Sequence, residues 1–409
     1  MPRNVSLLLL RADGSLVGAL QPFTVATPWW QEVETVVEGA AALGADVTVL
    51  RLTAAEPDSD DPWGMGGTVT YTAELHGPVP TGLRRPVDAT PASIDDDPLR
   101  LPWARPGGPA RELAWAEQVL GECGRVATGP PHQMRTWNLS SIWTIPTNAG
   151  PVWLKSVPPF FAHEGSIIDW LEEPMLPPLL GFAAGRVLMA DIPGADQYDA
   201  PLATLERAVE SLVAIQHRVS ARLDELLALG LADWRWPALR TSIEDVVDRH
   251  RGELDRGENL ALDALVEAFD TRASDIDACG LRMTLVHSDF HPGNLRGDRA
   301  RLCILDWGDC GVGHPLFDVA AMVERLDAGQ RRLLMATWAA AWQRRCPESD
   351  PIRAATLIEP IATVRRAVIY RGFLDGIEPS ERCYHAGDPA RWLRRGARLA
   401  KNNRENNKS

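Results

Sequence analysis

Eight consecutive residues, His287-Ser-Asp-Phe-His-Pro-Gly-Asn294, and an aspartate twelve positions further on, Asp306, set the tightest condition on what this chain can become. Thr284, Leu285 and Val286 ahead of them are strand-like. Behind them the polar turn Arg296-Gly297-Asp298 leads into the apolar run Leu302 to Leu305, which ends at Asp306. The fold must therefore supply a strand, a loop and a hairpin that delivers a second carboxylate to the first. Asp306 and the amide oxygen of Asn294 are oxygen ligands suited to a hard cation such as Mg2+, which binds through one or two carboxylates plus substrate phosphates. Asp289 then remains for proton transfer. In phosphoryl transfer the protein mainly positions and neutralises charge, while one Asp accepts the proton of the attacking hydroxyl.

A second reading of the same residues is open. His287, Asp289 and His291 alternate along one extended segment, and imidazoles suit zinc, so a metal-dependent hydrolase is an alternative. It leaves Asn294 and Asp306 without a task. On the first reading His287 and His291 orient the loop by hydrogen bonds.

The stretch His287 to Asn294, with Leu305-Asp306-Trp307-Gly308-Asp309, resembles the catalytic loop and metal-binding aspartate of the aminoglycoside phosphotransferase and choline kinase-like family. The resemblance covers residues 110–400. It implies an α+β, bilobal protein-kinase-like fold, with a small β-rich N-lobe and a large helical C-lobe, and it implies ATP and Mg2+. Asp289 matches the family's catalytic base, and Asn294 and Asp306 its metal ligands. Ser288 stands where many members carry Gly, which predicts a slightly altered loop backbone and no loss of chemistry. Asp318, in Gly313-His-Pro-Leu-Phe-Asp-Val-Ala320, matches an aspartate that braces the loop. His217 closes a helix resembling the first of the large lobe and reads as structural.

Lysine usage points to another residue. Only three lysines occur among 42 basic residues, and two of them, Lys401 and Lys408, lie in the polar tail. A chain that otherwise chooses arginine has a specific use for the compact ammonium of Lys155. Glu164 precedes Ile167, Ile168 and Leu171 by three, four and seven residues, so on a helix it shares their inward face. A carboxylate there needs a partner, and Lys155 is the candidate. In the family the same pair holds the nucleotide phosphates. Ser140 and Ser141 fall where the family covers those phosphates, without a glycine-rich loop, and an ordinary polar turn explains them equally. Ala190 and Ile192 fall in the family's hinge, whose backbone hydrogen-bonds adenine.

Along the chain, residues 1–76 read as a small α/β N-terminal cap domain. It has a hairpin over 5–10 and 16–19, a helix capped at Thr27-Pro28, strands at 47–52 and 69–75, and an acidic loop with Asp58, Asp60 and Asp61. Residues 77–109 are proline-rich and read as an extended linker, 110–194 as N-lobe with hinge, 195–400 as C-lobe, and 401–409 as a disordered tail.

The net charge of −13 disfavours nucleic acid and anionic membrane surfaces as partners and favours cationic small molecules. Six scattered cysteines form no metal or redox pair, the N-terminal apolar run Val5 to Leu10 is too short for a signal-peptide core, and no stretch is long enough to span a bilayer, so a cytoplasmic protein is expected. These readings converge on an ATP-dependent phosphotransferase acting on a hydroxyl of a small polar acceptor. Asp309, Glu359, Asp375 and Glu378 supply carboxylates for an ammonium-bearing acceptor, and Trp307 an apolar sugar-facing surface, so an amino sugar or aminoglycoside is the first choice. A neutral sugar such as maltose is the alternative. A pseudokinase would lack one of Asp289, Asn294, Asp306, Lys155 and Glu164, and all five are present.

Overall fold

The computed structural model describes residues 2–57, 66–84, 96–298, 301–324 and 326–406. The expected acidic loop at Asp58, Asp60 and Asp61 lies outside them. The chain divides into two compact units, one of Met1–Gly165, Pro178–Asp191 and Phe373–Ala386, the other of Ser166–Pro177, Ile192–Gly372 and Gly387–Ser409.

The first unit holds two sheets. Strands β1 (Arg3–Leu10), β2 (Leu16–Ala19), β3 (Phe23–Val25), β4 (Asp46–Glu56) and β5 (Gly67–His76) form the first in the order β2-β1-β5-β4, with β3 also on β1. β1 and β5 run parallel, Val5 facing Val69 and Leu7 facing Tyr71. Alternate residues Val5, Leu7 and Leu9 therefore point to one side with Val69, Tyr71 and Ala73, where helix α1 (Glu34–Ala42) adds Val36 and Ala40. Helix α1 starts later than Thr27-Pro28 suggested. The reason is Arg3, whose buried guanidinium collects the carbonyls of Thr27, Trp29 and Glu32, oxygens that a helix would have used internally.

The supposed linker is folded where it is described. Leu101, Trp103 and Ala104 are buried around a 3-10 turn, Pro102–Ala104, and helix α2 (Gly108–Glu122) begins within the stretch. Gly108 is required there, because a Cβ would strike the carbonyl of Pro102. The second sheet contains β6 (His132–Trp137), β7 (Ser140–Ile145), β8 (Val152–Ser156), β9 (Leu179–Ala183) and β10 (Arg186–Ala190) in the antiparallel order β6-β7-β8-β10-β9. Helix α3 (Glu164–Leu171) lies between β8 and β9 in sequence.

Residues 373–386 return to this unit from late in the chain. Glu378 is almost fully buried and lies 2.9 Å from both Arg51 and Arg100. Its carboxylate is therefore shared between two guanidinium groups inside the fold, and it does not belong to an acceptor pocket. Truncating one member of a buried charge cluster leaves the others unpaired, which costs about 3–5 kcal/mol. Glu378→Ala should lower the midpoint of chemical unfolding accordingly, and an unchanged midpoint would show that Arg51 and Arg100 find other partners.

The second unit is helical with two small sheets. In chain order it contains β11 (Ala195–Asp196), α4 (Leu202–Val219), α5 (Leu223–Ala228), β12 (Ala232–Asp233), α6 (Trp236–His250), α7 (Arg256–Glu267), α8 (Phe269–Asp277), β13 (Thr284–Val286), β14 (Leu295–Gly297), β15 (Leu302–Ile304), β16 (Gly311–Gly313), α9 (Val319–Val323), α10 (Ala328–Gln343), most of α11 (Pro351–Gly376) and α12 (Asp388–Asn406). One sheet has the order β11-β14-β15 and the other β12-β16-β13. Helix α12 runs through residues 401–406, so most of the tail read as disordered is helical. Adding turns to a helix already nucleated by packing costs little even in an Asn-rich sequence. Among the described residues no helix is long and apolar enough to cross a membrane.

Candidate active site

Strand β13 feeds the loop, and the loop is held by groups from elsewhere in the second unit. The fully buried Asp318 carboxylate accepts from the backbone N–H of His287 at 3.0 Å and of Ser288 at 2.7 Å, and from Gln216 Nε2 at 2.9 Å. Burial pushes this carboxyl up to about 7 against the pull of those two N–H groups and Arg365. Gln216 was not singled out from the sequence, and its neighbour His217, read there as structural, is exposed. The helical period of α4 already placed Gln216 one residue after the buried Ile215, but only the fold shows what it faces.

Ser288 takes a left-handed backbone, φ +71°. The loop thus keeps the geometry suited to glycine, and the serine adapts to it. Its hydroxyl accepts from the buried Arg365 at 3.0 Å. The left-handed form costs roughly 1–2 kcal/mol, whereas a hydrogen bond to a charged group is worth about 1.5–3 kcal/mol. Ser288→Gly should therefore be slightly less stable than wild type, and Ser288→Ala, which keeps the strain and loses the bond, less stable still. If Arg365 contributed nothing, thermal unfolding would show Ser288→Gly above wild type and Ser288→Ala level with it.

His287 is buried, which pushes its imidazole down to about 4, so it is neutral at ordinary pH. Its Nε2 lies 2.9 Å from the Leu305 carbonyl and must carry the proton. Leu305 N–H in turn donates to the Asn294 carbonyl at 2.8 Å. These two bonds fasten the end of β15 to the loop and fix the residue that follows, Asp306, whose backbone is left-handed at φ +63°. The hairpin read from the sequence is formed by β14 and β15, and Asp306 follows directly after it.

Asp289 is half-buried. Its Oδ2 lies 3.4 Å from His291 Nε2 and accepts from Asn294 Nδ2 at 2.9 Å. Burial pushes the carboxyl up, but the hydrogen bond and charge of His291, with Arg366, outweigh it and hold Asp289 well below the usual carboxylate range. Asn294 Nδ2 also donates to the Asp289 carbonyl at 2.9 Å. Two acceptors on one side of the amide fix its orientation, so Oδ1 is directed away from Asp289. The amide oxygen of Asn294 and the carboxylate of Asp306 are oxygen donors of the kind Mg2+ takes. The histidines are spent within the loop, on Leu305 and on Asp289, and His291 Nδ1 accepts from Gly293 N–H at 3.0 Å. Among the described residues no group of three or more His, Cys, Asp or Glu is gathered around a metal position.

In the first unit Lys155 Nζ lies 2.7 Å from Glu164 Oε1, with the two side chains 10% and 2% exposed. The expected ion pair is formed. The hydroxyls of Ser140 and Ser141 behave differently from the reading as phosphate covers: both are buried and accept from indole N–H groups, Trp137 Nε1 at 3.0 Å and Trp143 Nε1 at 3.2 Å. The turn between β6 and β7 is only Asn138-Leu139, and Asn138 is itself buried, donating to the Glu381 carbonyl and lying 3.2 Å from His385 Nε2. In the hinge segment Ala190 N–H donates to the Pro178 carbonyl at 2.9 Å, and the Ile192 carbonyl accepts from Arg296 Nε at 3.0 Å.

Trp307 is fully buried, its ring against His287 and its Nε1 donating to the Ile304 carbonyl, so it offers no sugar-facing surface. Large apolar rings beside a loop of alternating polar residues are as readily its floor as its wall. Asp309 is half-buried on the same turn, and Glu359 and Asp375 are exposed on α11.

Residues 167–354, which carry the loop, Asp306 and Asp318, match the model of the phosphotransferase enzyme family. Among solved structures the chain is similar to a macrolide 2'-phosphotransferase type I, with 19% identity, coverage of 67% of this chain and 95% of the other, and a TM-score of 0.49. It is also similar to an aminoglycoside 2'-phosphotransferase-IIIa in its GDP complex, with 15% identity, coverage of 72% and 99%, and a TM-score of 0.49. A choline kinase from Streptococcus pneumoniae gives 12%, 72% and 98%, and 0.48. No curated protein matches the chain by sequence.

Proposed function

We propose that the chain transfers the γ-phosphate of ATP to a hydroxyl of a small polar acceptor, with Asp289 as the base. The observation that carries this reading is the contact set of Asp289: a half-buried carboxylate kept ionised by His291 and steered by Asn294. An acceptor hydroxyl beside it would find a proton acceptor already deprotonated and oriented. Asn294 Oδ1 and Asp306 would hold Mg2+, which when bound neutralises phosphate charge. Lys155, kept in place by Glu164, would take up the nucleotide phosphates, and backbone groups near Ala190 and Ile192 would hydrogen-bond adenine.

For the acceptor, an amino sugar or aminoglycoside remains our first choice and a neutral sugar the alternative. With Glu378 committed to arginines and Trp307 buried, the preference for an ammonium rests on Asp309, Glu359, Asp375 and the overall negative charge. The test is ATP consumption with glucosamine, kanamycin, maltose and choline, followed by each amino sugar against its N-acetylated form. Equal rates for a free and an acetylated amine would overturn the ammonium reading. Turnover with none of them would overturn the kinase reading for this acceptor class.

A further inference from the structure

Tyr198 stands outside every residue considered so far, yet it touches the loop. It follows β11, which pairs antiparallel with β14 through Ala195 opposite Gly297 and Asp196 opposite Arg296. Arg296 and Asp196 form an ion pair at 2.9 Å, Gln197 N–H donates to the Leu295 carbonyl at 3.1 Å, and Gln197 Nε2 donates to the Gly297 carbonyl at 3.0 Å. The segment is thus fastened to the hairpin that leaves the loop, and its next residue is held over Gly293.

The approach of Tyr198 to Gly293 is close. A Cβ on Gly293 would collide with Cζ and Oη of Tyr198 and would lie 2.7 Å from His291 Cε1. Gly293 has no left-handed backbone, so a side chain there would be opposed only by the Tyr198 and His291 rings. The Tyr198 and His291 rings are 6.3 Å apart at 33°. His291 Cε1 is bonded to Nε2, the atom 3.4 Å from the Asp289 carboxylate. The hydroxyl end of Tyr198 is therefore one imidazole away from the proposed base, while 51% of the residue stays exposed.

What sets Tyr198 apart from other exposed apolar residues is its place: its segment is fastened to the hairpin, and its ring lies beside His291, the neighbour of the proposed base. We propose that Tyr198 is a specificity-determining residue that packs on the ring of a carbohydrate acceptor whose hydroxyl is presented to Asp289. Tyrosine suits this task because its face is apolar, matching the C–H side of a pyranose, while its hydroxyl end is polar. It supplies the aromatic surface that Trp307, buried beneath the loop, cannot. The assignment rests on the proposed function and adds the residue that reads the sugar ring of the acceptor.

The test compares wild type, Tyr198→Ala and Tyr198→Phe in steady-state transfer from Mg-ATP to glucosamine, N-acetylglucosamine and maltose, with KM measured separately for sugar and for ATP. For the sugar that wild type uses, Tyr198→Ala should raise KM about ten-fold with KM for ATP within about two-fold, as expected for one aromatic contact. Tyr198→Phe, which keeps the ring, should recover most of the loss. A rise in KM for ATP would place the ring on the nucleotide and overturn the assignment. So would unchanged KM values with a lowered unfolding temperature, which would make the contact with Gly293 merely structural. A wild type that transfers to none of these sugars overturns the carbohydrate reading itself, and this assignment with it. Wild-type turnover unaffected by either substitution overturns Tyr198 alone.

Discussion

Asp289→Asn should lower kcat by about 100-fold to 10,000-fold while the affinity for Mg-ATP stays nearly unchanged, because the base acts on the acceptor and not on the nucleotide. The substitution is close to isosteric, and an amide at 289 can still accept from Asn294 Nδ2 at the position now 2.9 Å away. The loop should therefore keep its shape, and Mg-ATP should raise the unfolding temperature of the variant as it does that of wild type. The same contacts give a pH prediction. Burial alone would raise the Asp289 carboxyl, and the opposing effect of His291 brings it below the usual range. The base is thus available through the ordinary acid range, and the acid limb of kcat/KM should lie low. In His291→Ala the opposing bond and charge are gone, so the limb should move to higher pH. Wild-type turnover in Asp289→Asn would remove the residue from its role, and an unmoved acid limb in His291→Ala would remove His291 from the control of it.

The parts of this site that could be read from the sequence are those whose partners lie within a few residues or one hairpin. Asp289 and Asn294 are five apart on one loop, and the turn after Gly297 returns β15 to β14 in register, so Asp306 had to arrive beside them. Lys155 and Glu164 were legible for a different reason: lysine is rare in this chain, and an inward-facing glutamate nine residues on needed a partner close by. What could not be read depends on contacts between distant segments. Asp318 was placed by resemblance, but its third donor, Gln216, comes from a helix 102 residues earlier, and Arg365 reaches Ser288 from 77 residues later. Glu378 looked like a free carboxylate near an exposed helix end because its partners, Arg51 and Arg100, are hundreds of positions upstream. The burial of Trp307 and the exposure of Tyr198 follow from which side of the loop each backbone segment takes, and periodicity carries no information on that.

Lys155→Arg should be nearly as harmful to turnover as Lys155→Ala, although it preserves the charge, and the two variants should part company in stability. In the fold Lys155 is nine-tenths buried on β8, where its ammonium meets Glu164 Oε1 at 2.7 Å. Removing it leaves Glu164 buried without its counter-ion, which costs about 3–5 kcal/mol, so Lys155→Ala is a poor test of catalysis alone. Arginine still pairs with a carboxylate and should keep most of that stability. It cannot reproduce the geometry, because a planar fork longer than the ammonium directs its donors along fixed lines, whereas a compact three-donor centre can serve Glu164 and phosphate oxygens at once. Losing one preorganised donor to transferring phosphates is expected to lower kcat/KM by roughly 100-fold or more. The stabilisation conferred by Mg-ATP, read as a shift in unfolding temperature, should shrink in the arginine variant while the unfolding temperature without nucleotide stays near wild type. Normal turnover in Lys155→Arg would mean that charge alone suffices at this position, and the inference drawn from a single lysine in an arginine-rich fold would fail with it.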